Sequence, residues 1–163
     1  MSGIVSDIVP VRNTLQVCDA TIVYKVDNIN ELEKKKFLFS PKCSISNTIW
    51  YLKLVVDEET KMNDQQLGIF ILSERDLIIS PELWSCSATV ELTVVNQKAP
   101  HKSVSYSIMR NFNALHPGWG FAKFIKWSEV IDTAKGYLEG DTLTVRARFQ
   151  NLSPIMHIKI PRS

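Results

Sequence analysis

The sequence predicts an all-β fold, an antiparallel β-sandwich of about seven or eight strands with one short helix. Three observations carry that prediction. Apolar and polar residues alternate with a period of two in several separate segments, the pattern of strands with one face turned inward and one outward. Turn-forming residues recur between those segments, which is how short antiparallel strands are joined. Finally, 163 residues with 45% apolar and 22% charged content are the length and composition of one ordinary globular domain. A chain of this size buries about two-thirds of its unfolded surface and needs no staples to hold a core.

Along the chain, residues 1–17 mix apolar and polar positions around Pro10 and read as an N-terminal extension outside the core. One domain follows over 18–150. The run Lys34-Lys35-Lys36 reads as a solvated turn before a strand. Trp50, Leu52, Leu54 and Val56 alternate with Tyr51, Lys53 and Val55, so this strand turns its even row inward. Turn chemistry covers Asp57 to Gln65 and Ser80-Pro81-Glu82, after which Trp84 stands at the start of a strand and seals a sandwich end. Ala88, Val90, Leu92 and Val94 alternate with Thr89, Glu91 and Thr93, and a turn follows over Asn96 to His101. The single helix is expected over Trp127 to Lys135, capped by Ser128 and stopped at Gly136. Its residues Trp127, Val130, Ile131 and Ala134 share one face and cover an end of the sandwich. After a turn at Glu139-Gly140-Asp141, Leu143, Val145, Ala147 and Phe149 alternate with Thr142, Thr144, Arg146 and Arg148. That outward row is entirely polar, which requires a sheet with one wet face. Residues 151–163, with two prolines, read as a C-terminal tail or the start of a linker.

Composition also excludes several classes of function. The formal charge is only +2 and no block of Lys and Arg interleaved with aromatics occurs, so nucleic acid is not an expected partner. No apolar run approaches the length of a membrane span, and the first residues lack the basic and apolar regions of a signal peptide. Cys18, Cys43 and Cys86 are far apart and odd in number; they read as reduced thiols of an intracellular protein, in the nucleus, the cytoplasm or both. None has the Cys-x-x-Cys spacing of a zinc or redox site. His101, His116 and His157 are the only histidines, and none stands beside a nucleophile and an orienting group. There is no glycine-rich phosphate loop and no paired-carboxylate motif. The chain is therefore read as a binding module, with no enzyme activity, cofactor or metal expected.

The aromatics separate into two groups. Trp50 and Phe124 read as core and Trp127 as the inward anchor of the helix. Trp119 and Phe121 differ, because they fall in an apparent turn, His116-Pro117-Gly118-Trp119-Gly120-Phe121, where two glycines let the backbone approach something closely. Either they line a recognition groove or they plug the core from a loop.

The segment Trp119-Gly120-Phe121-Ala122-Lys123-Phe124-Ile125, followed by Tyr137-Leu138-Glu139-Gly140-Asp141-Thr142-Leu143-Thr144-Val145, resembles the MATH (meprin and TRAF homology) domain. Ile22 to Ile29, with Tyr24 where that family often carries Trp, is similar to its first strand. Trp50 to Val56, Leu67 to Leu72 and Ala88 to Asn96 are similar to the strands that follow, so the likeness runs from about Asp19 to Phe149 in the family's order. It is most similar to the speckle-type POZ protein branch. The resemblance implies a module that binds short extended peptide motifs across one sheet, main chain pairing with an edge strand and side chains filling pockets. In that branch a separate BTB domain joins a cullin ubiquitin ligase, which makes the substrate-recognition domain of a ligase adaptor the first functional expectation.

By that likeness the peptide-binding residues are Trp119, Gly120 and Phe121, with Lys123 nearby. Positions that are aromatic in the branch's groove align with Gln66, Val90 and the neighbourhood of Arg110 and Asn111, and the charges flanking its Trp-Gly-Phe are replaced by Pro117, Gly118 and Ala122. Losing aromatic pocket walls changes the preferred motif or weakens binding, and Arg110 favours an acidic ligand instead. No BTB segment follows Phe149 in this sequence and no heptad coiled coil precedes it, so ligase recruitment is expected from elsewhere in a longer protein. Two further readings stand beside the first: a TRAF-like signalling scaffold or deubiquitinase-targeting MATH domain, and a carbohydrate-binding sandwich using Trp119 and Tyr137.

Overall fold

The computed structural model describes residues 13–18, 20–46, 48–57, 65–74 and 85–152, with Asn13–Cys18 described as backbone. Two antiparallel sheets pack face to face. The first contains β1 (Asn13–Cys18), β2 (Thr21–Val26), β11 (Thr142–Leu152), β7 (Ser85–Val94) and β8 (Val104–Asn113), in that spatial order, with β10 (Leu138–Glu139) paired to β11. The second runs β3 (Phe37–Phe39), β5 (Thr48–Val56), β6 (Gln66–Glu74) and β9 (Gly118–Lys126), with β4 (Cys43–Ile45) paired to β5. Two short helices complete the body, α1 (Ile29–Lys35) and α2 (Trp127–Ile131), together with a 3-10 turn at Pro100–Lys102. β3, β4 and β10 are only two or three residues long, too short to show alternation, so the strands exceed the number read from sequence.

The core is built from the inward rows of both sheets, as the alternation implied. Trp50, Leu52 and Leu54 of β5 and Val90, Leu92 and Val94 of β7 have no solvent exposure, nor do Leu143, Val145 and Ala147 of β11. Trp50 joins the layers: its ring meets Phe112 of β8 edge-on at 5.0 Å and Phe149 of β11 at 4.7 Å. Such crossings give aromatic pairs additional stabilisation beyond the area they bury. Phe124 and Trp127 are likewise interior.

Four local expectations change. Asn13 to Val17, read as part of an extension, join Cys18 in a strand paired along its whole length with β2. α1 lay unseen because only Ile29 and Leu32 are apolar and buried in it, too few to establish a helical period. Its ends are nevertheless well specified. Asn28 accepts a bond from Asn30 N–H, and Lys36 adopts a left-handed conformation with φ 72° while its N–H bonds Leu32 O. α2 is shorter than expected, starts at Trp127 after Lys126 rather than being capped by Ser128, and leaves Ile131 and Ala134 exposed. The outward row of β11 is not wholly wet either, since Thr144 is buried beneath Gln97, whose Nε2 donates to its hydroxyl at 2.9 Å. The expected role of Trp84, the turn at Ser80-Pro81-Glu82 and most of the turn after Asp57 lie outside the described residues.

Candidate functional site

Gly118 to Phe121, which the sequence places in a turn, belong instead to an edge strand, β9. β9 ends the second sheet and β8 ends the first, and the connection Ala114–Pro117 brings these two edges together on one side of the sandwich. Their inward rows overhang the gap between the sheets. Trp119 and Phe121, opposite Ile71 and Ile69 of β6, point toward the interior, but at an edge they remain half-buried against the core. Tyr106, Ile108 and Arg110 of β8 come down on the other side.

The result is a shallow apolar groove of about 100 Å³, lined by Ser107, Ile108, Arg110, Trp119, Gly120 and Phe121. Tyr106 meets Phe121 at a tilt at 5.2 Å and Phe124 edge-on at 4.9 Å, which holds one end of the wall. At the other end the Arg110 guanidinium lies 5.0 Å from the centre of the Trp119 indole, and His116 lies 5.7 Å from the same ring. The Trp119 Nε1 is closed off from solvent without an acceptor, so the indole offers its face to the groove rather than its N–H. Tyr106, 44% exposed, adds an apolar rim.

Backbone geometry determines what this edge can pair with. Ser73 N–H donates to Pro117 O at 2.7 Å; antiparallel pairs alternate between bonded and non-bonded, so Trp119 and Phe121 direct their main-chain groups to β6. Gly118 and Gly120 then point theirs off the sheet. On β8 the same alternation, starting from Val95 N–H to Thr144 O, turns Ser105, Ser107, Met109 and Asn111 toward their free edge. There Arg110 Nη1 already donates to Met109 O at 2.9 Å. The glycines have a structural reason as well: a Cβ on Gly120 would stand 2.2 Å from Ile69 O and 2.5 Å from Phe70 Cα. What approaches the backbone closely at Gly120 is β6.

Of the residues picked out from sequence, Trp119, Gly120, Phe121 and Arg110 line the groove together. Lys123 is exposed on β9 in an irregular stretch where Ala122 to Phe124 oppose Gly68 alone. Asn111 is exposed on β8 but sits on that strand's outward row. Val90 is not available: β7 lies one strand in from the edge and its side chain is fully buried. Gln66 pairs with Lys126, at the opposite end of β9 from Gly118. Tyr137, suggested for a sugar platform, is buried and its hydroxyl donates to Lys102 O at 3.3 Å. Ser107, Ile108 and Tyr106 were missed, although Val104, Tyr106, Ile108 and Phe112 do alternate with polar residues. The signal was blurred by Met109 on the outward row and Arg110 on the inward one.

Two other surface features differ in character. A wider depression of about 740 Å³ beside α2 is lined by mixed charges, including Lys102, Glu129, Asp132 and Lys135. Its buried Asn96 is satisfied by Lys98 N–H, Ala99 N–H and Lys135 O, so the buried amide there does not await a ligand. On the outer face of the second sheet, Phe37 and Phe39 are half exposed beneath Lys53, whose Nζ lies 5.9 and 5.5 Å from their ring centres. Cys43 and Cys86 form no disulfide, and burial raises the pKa of both thiols. Among the described residues no cluster of potential metal ligands occurs.

Residues 21–149 match the family model described as MATH domain. Among curated proteins, the chain is 38% identical over 76 residues to Ubiquitin C-terminal hydrolase 12 of Arabidopsis thaliana, covering 47% of this chain and 7% of that protein. It is 25% identical over 130 residues to Ubiquitin carboxyl-terminal hydrolase 7 of Drosophila melanogaster, covering 78% of this chain and 10% of that protein. It is 26% identical over 128 residues to BTB and MATH domain-containing protein 38 of Caenorhabditis elegans, covering 76% and 31%. The chain thus spans less than a third of the length of these relatives. A solved structure of Notothenia coriiceps TRAF5 superimposes with a TM-score of 0.58 at 17% identity, covering 89% of this chain and 77% of that one, a likeness of fold.

Proposed function

The chain belongs to the MATH domain family and is a protein-interaction module; on that premise we propose that the groove between β8 and β9 captures a short extended segment of a partner protein as an added strand on β9. One observation carries this reading: two half-buried aromatic rings flank a glycine whose backbone groups point off a sheet edge that no strand among the described residues pairs with. Strand addition needs main-chain donors and acceptors for affinity and pockets beside them for specificity. Gly118 and Gly120 supply the first with no side chain in the way, and Trp119, Phe121 and Ile108 supply the second. The β8 edge is less suitable because Arg110 already holds the Met109 carbonyl.

The partners are proteins that carry short extended motifs, met in the nucleus or cytoplasm and passed to the ubiquitin machinery. The likeness to BTB and MATH domain-containing protein 38 supports the adaptor reading, in which the captured protein is presented to a cullin ligase through a BTB domain, as in the speckle-type POZ branch. The likeness to two ubiquitin hydrolases supports the alternative, in which the module brings a deubiquitinase to its target. Both rest on the same capture step.

Affinity capture from cell extract, using wild type and Trp119→Ala side by side, tests that step. Captured proteins are expected to be lost from Trp119→Ala and displaced from wild type by synthetic peptides copied from their extended segments. Because the indole is only half-buried, Trp119→Ala is expected to destabilise less than the about 3–5 kcal/mol of a fully buried aromatic. Retention of the same proteins by a folded Trp119→Ala would remove the groove from consideration.

A further inference from the structure

We infer that the groove selects a peptide carrying an anionic side chain, a carboxylate or a phosphate monoester, which Arg110 binds from its position over the Trp119 indole. The inference rests on the peptide-capture reading and specifies what the captured segment contains.

Arg110 occupies an inward position of β8, paired with Ala88 in the register that places Ile108 and Phe112 in the core. A guanidinium there faces other inward side chains, and burying it would require a compensating carboxylate. The edge position resolves this: the side chain remains exposed and lies across the mouth of the groove, 5.0 Å from the indole centre. Among the described residues no carboxylate lines the groove. Among the described residues the ion pairs are Lys42 with Glu74 and Arg148 with Glu91, and neither involves Arg110. Its one hydrogen bond goes from Nη1 to the neighbouring Met109 carbonyl.

That arrangement presents an anion site already in position. A guanidinium has five N–H donors in a rigid plane, matched to the paired oxygens of a carboxylate or phosphate. The cation–π contact with the indole and the bond to Met109 O restrain the side chain beforehand, so less of its entropy remains to be lost when an anion arrives. Lys123, also exposed on β9, adds a second positive charge to this side of the molecule. Along an added strand, side chains two residues apart share a face, and Trp119 and Phe121 are two residues apart. An acidic residue over Trp119 and Arg110 therefore sets a small apolar residue in the pocket by Phe121 and Ile108.

The test uses short peptides drawn from a positional library of extended sequences, with fluorescence polarisation against wild type, Arg110→Ala, Arg110→Lys and Trp119→Ala. Each peptide is made in four forms differing at one position: Glu, Gln, phosphoserine and Ser. Wild type is expected to bind the Glu form about tenfold more tightly than the Gln form, with the preference shrinking as salt rises. Arg110→Ala is expected to bind Glu and Gln forms alike, near the wild-type affinity for Gln, and Arg110→Lys to recover only part of the preference. The phosphoserine and Ser pair identifies which anion is better accepted. Equal binding of all four forms by wild type, or an anion preference that survives in Arg110→Ala, would overturn the inference while leaving peptide capture intact. If no peptide in the library binds wild type, capture itself fails and the inference falls with it. Thermal midpoints of the Arg110 variants, expected to match wild type, show that a lost preference is not a lost fold.

Discussion

Replacing Gly120 with alanine tests whether the course of β9 across β6, on which the groove depends, is set by the absence of a side chain. The new Cβ would lie 2.2 Å from Ile69 O and 2.5 Å from Phe70 Cα. Carbon to carbonyl-oxygen contacts settle near about 3.3–3.6 Å, so one strand must move by about 1 Å, and both obstacles are backbone. A shift of that size takes ladder bonds at the Trp119–Ile71 and Phe121–Ile69 pairs beyond the 2.7–3.2 Å range typical of such bonds, each worth about 0.5–1.5 kcal/mol net. With the disturbed packing of the two rings, the cost is about 2–4 kcal/mol. For a chain of this length that lowers the thermal midpoint by roughly 5–15 °C. Gly118→Ala is the control, since its Cβ crowds only the Leu72 side chain, at 3.0 Å, which can rotate away, and meets the Ile71 carbonyl oxygen at an ordinary 3.4 Å. Urea unfolding of both variants reads the difference as a shift in midpoint at constant slope. Equal midpoints for Gly120→Ala and wild type would show that the strands tolerate the extra atom and that the glycine has no structural cause.

Phe124→Ala is expected to behave as a core lesion, because the ring is almost fully buried and meets Tyr106 at 4.9 Å; a loss of about 3–5 kcal/mol in urea unfolding is anticipated, and a loss below about 1 kcal/mol would contradict that placement. Cys86 is expected to resist alkylation in the native protein at neutral pH. It is 1% exposed and burial raises its thiol pKa, so the reactive thiolate is scarce as well as hidden. Iodoacetamide labelling followed by mass spectrometry, with and without denaturant, measures this, and rapid native labelling would refute it.

The long paired strands were legible in the sequence because both faces of a sandwich strand leave a mark. In β5 the buried row Trp50, Leu52, Leu54 and Val56 alternates with half-buried residues without a break. Edge strands leave a weaker mark. Trp119 and Phe121 are inward residues of β9, but Gly118 and Gly120 beside them imitate turn chemistry, and only the pairing with β6 shows that they belong to a strand. β8 was hidden for the complementary reason: at an edge, an inward position need not be apolar, so Arg110 can stand in the same row as Ile108 and Phe112. Family likeness thus singled out Trp119, Gly120 and Phe121 of β9 and Arg110 of β8, while Tyr106, Ser107 and Ile108 of the opposite wall came from contacts between sheets that a linear pattern does not record.

An unpaired edge invites association with any other strand, and stable proteins limit that risk with charge, short regular stretches and bulges. β9 is regular from Gly118 to Phe121, but Ala122 to Phe124 then oppose the single residue Gly68 before pairing resumes at Ile125. An irregularity of this kind bends and twists the strand, and Lys123 within it is exposed. Pro117 stands just before the regular stretch and has no N–H to offer. A guest strand therefore finds a straight edge only four residues long, too little main chain to bind tightly through backbone bonds alone. Long flat strands gain nothing from such an edge, which disfavours self-association, whereas a short segment can succeed if its side chains reach the indole, the phenyl ring and Arg110. The same irregularity that protects the edge thus transfers the burden of affinity to side chains, and with it the selection among partners.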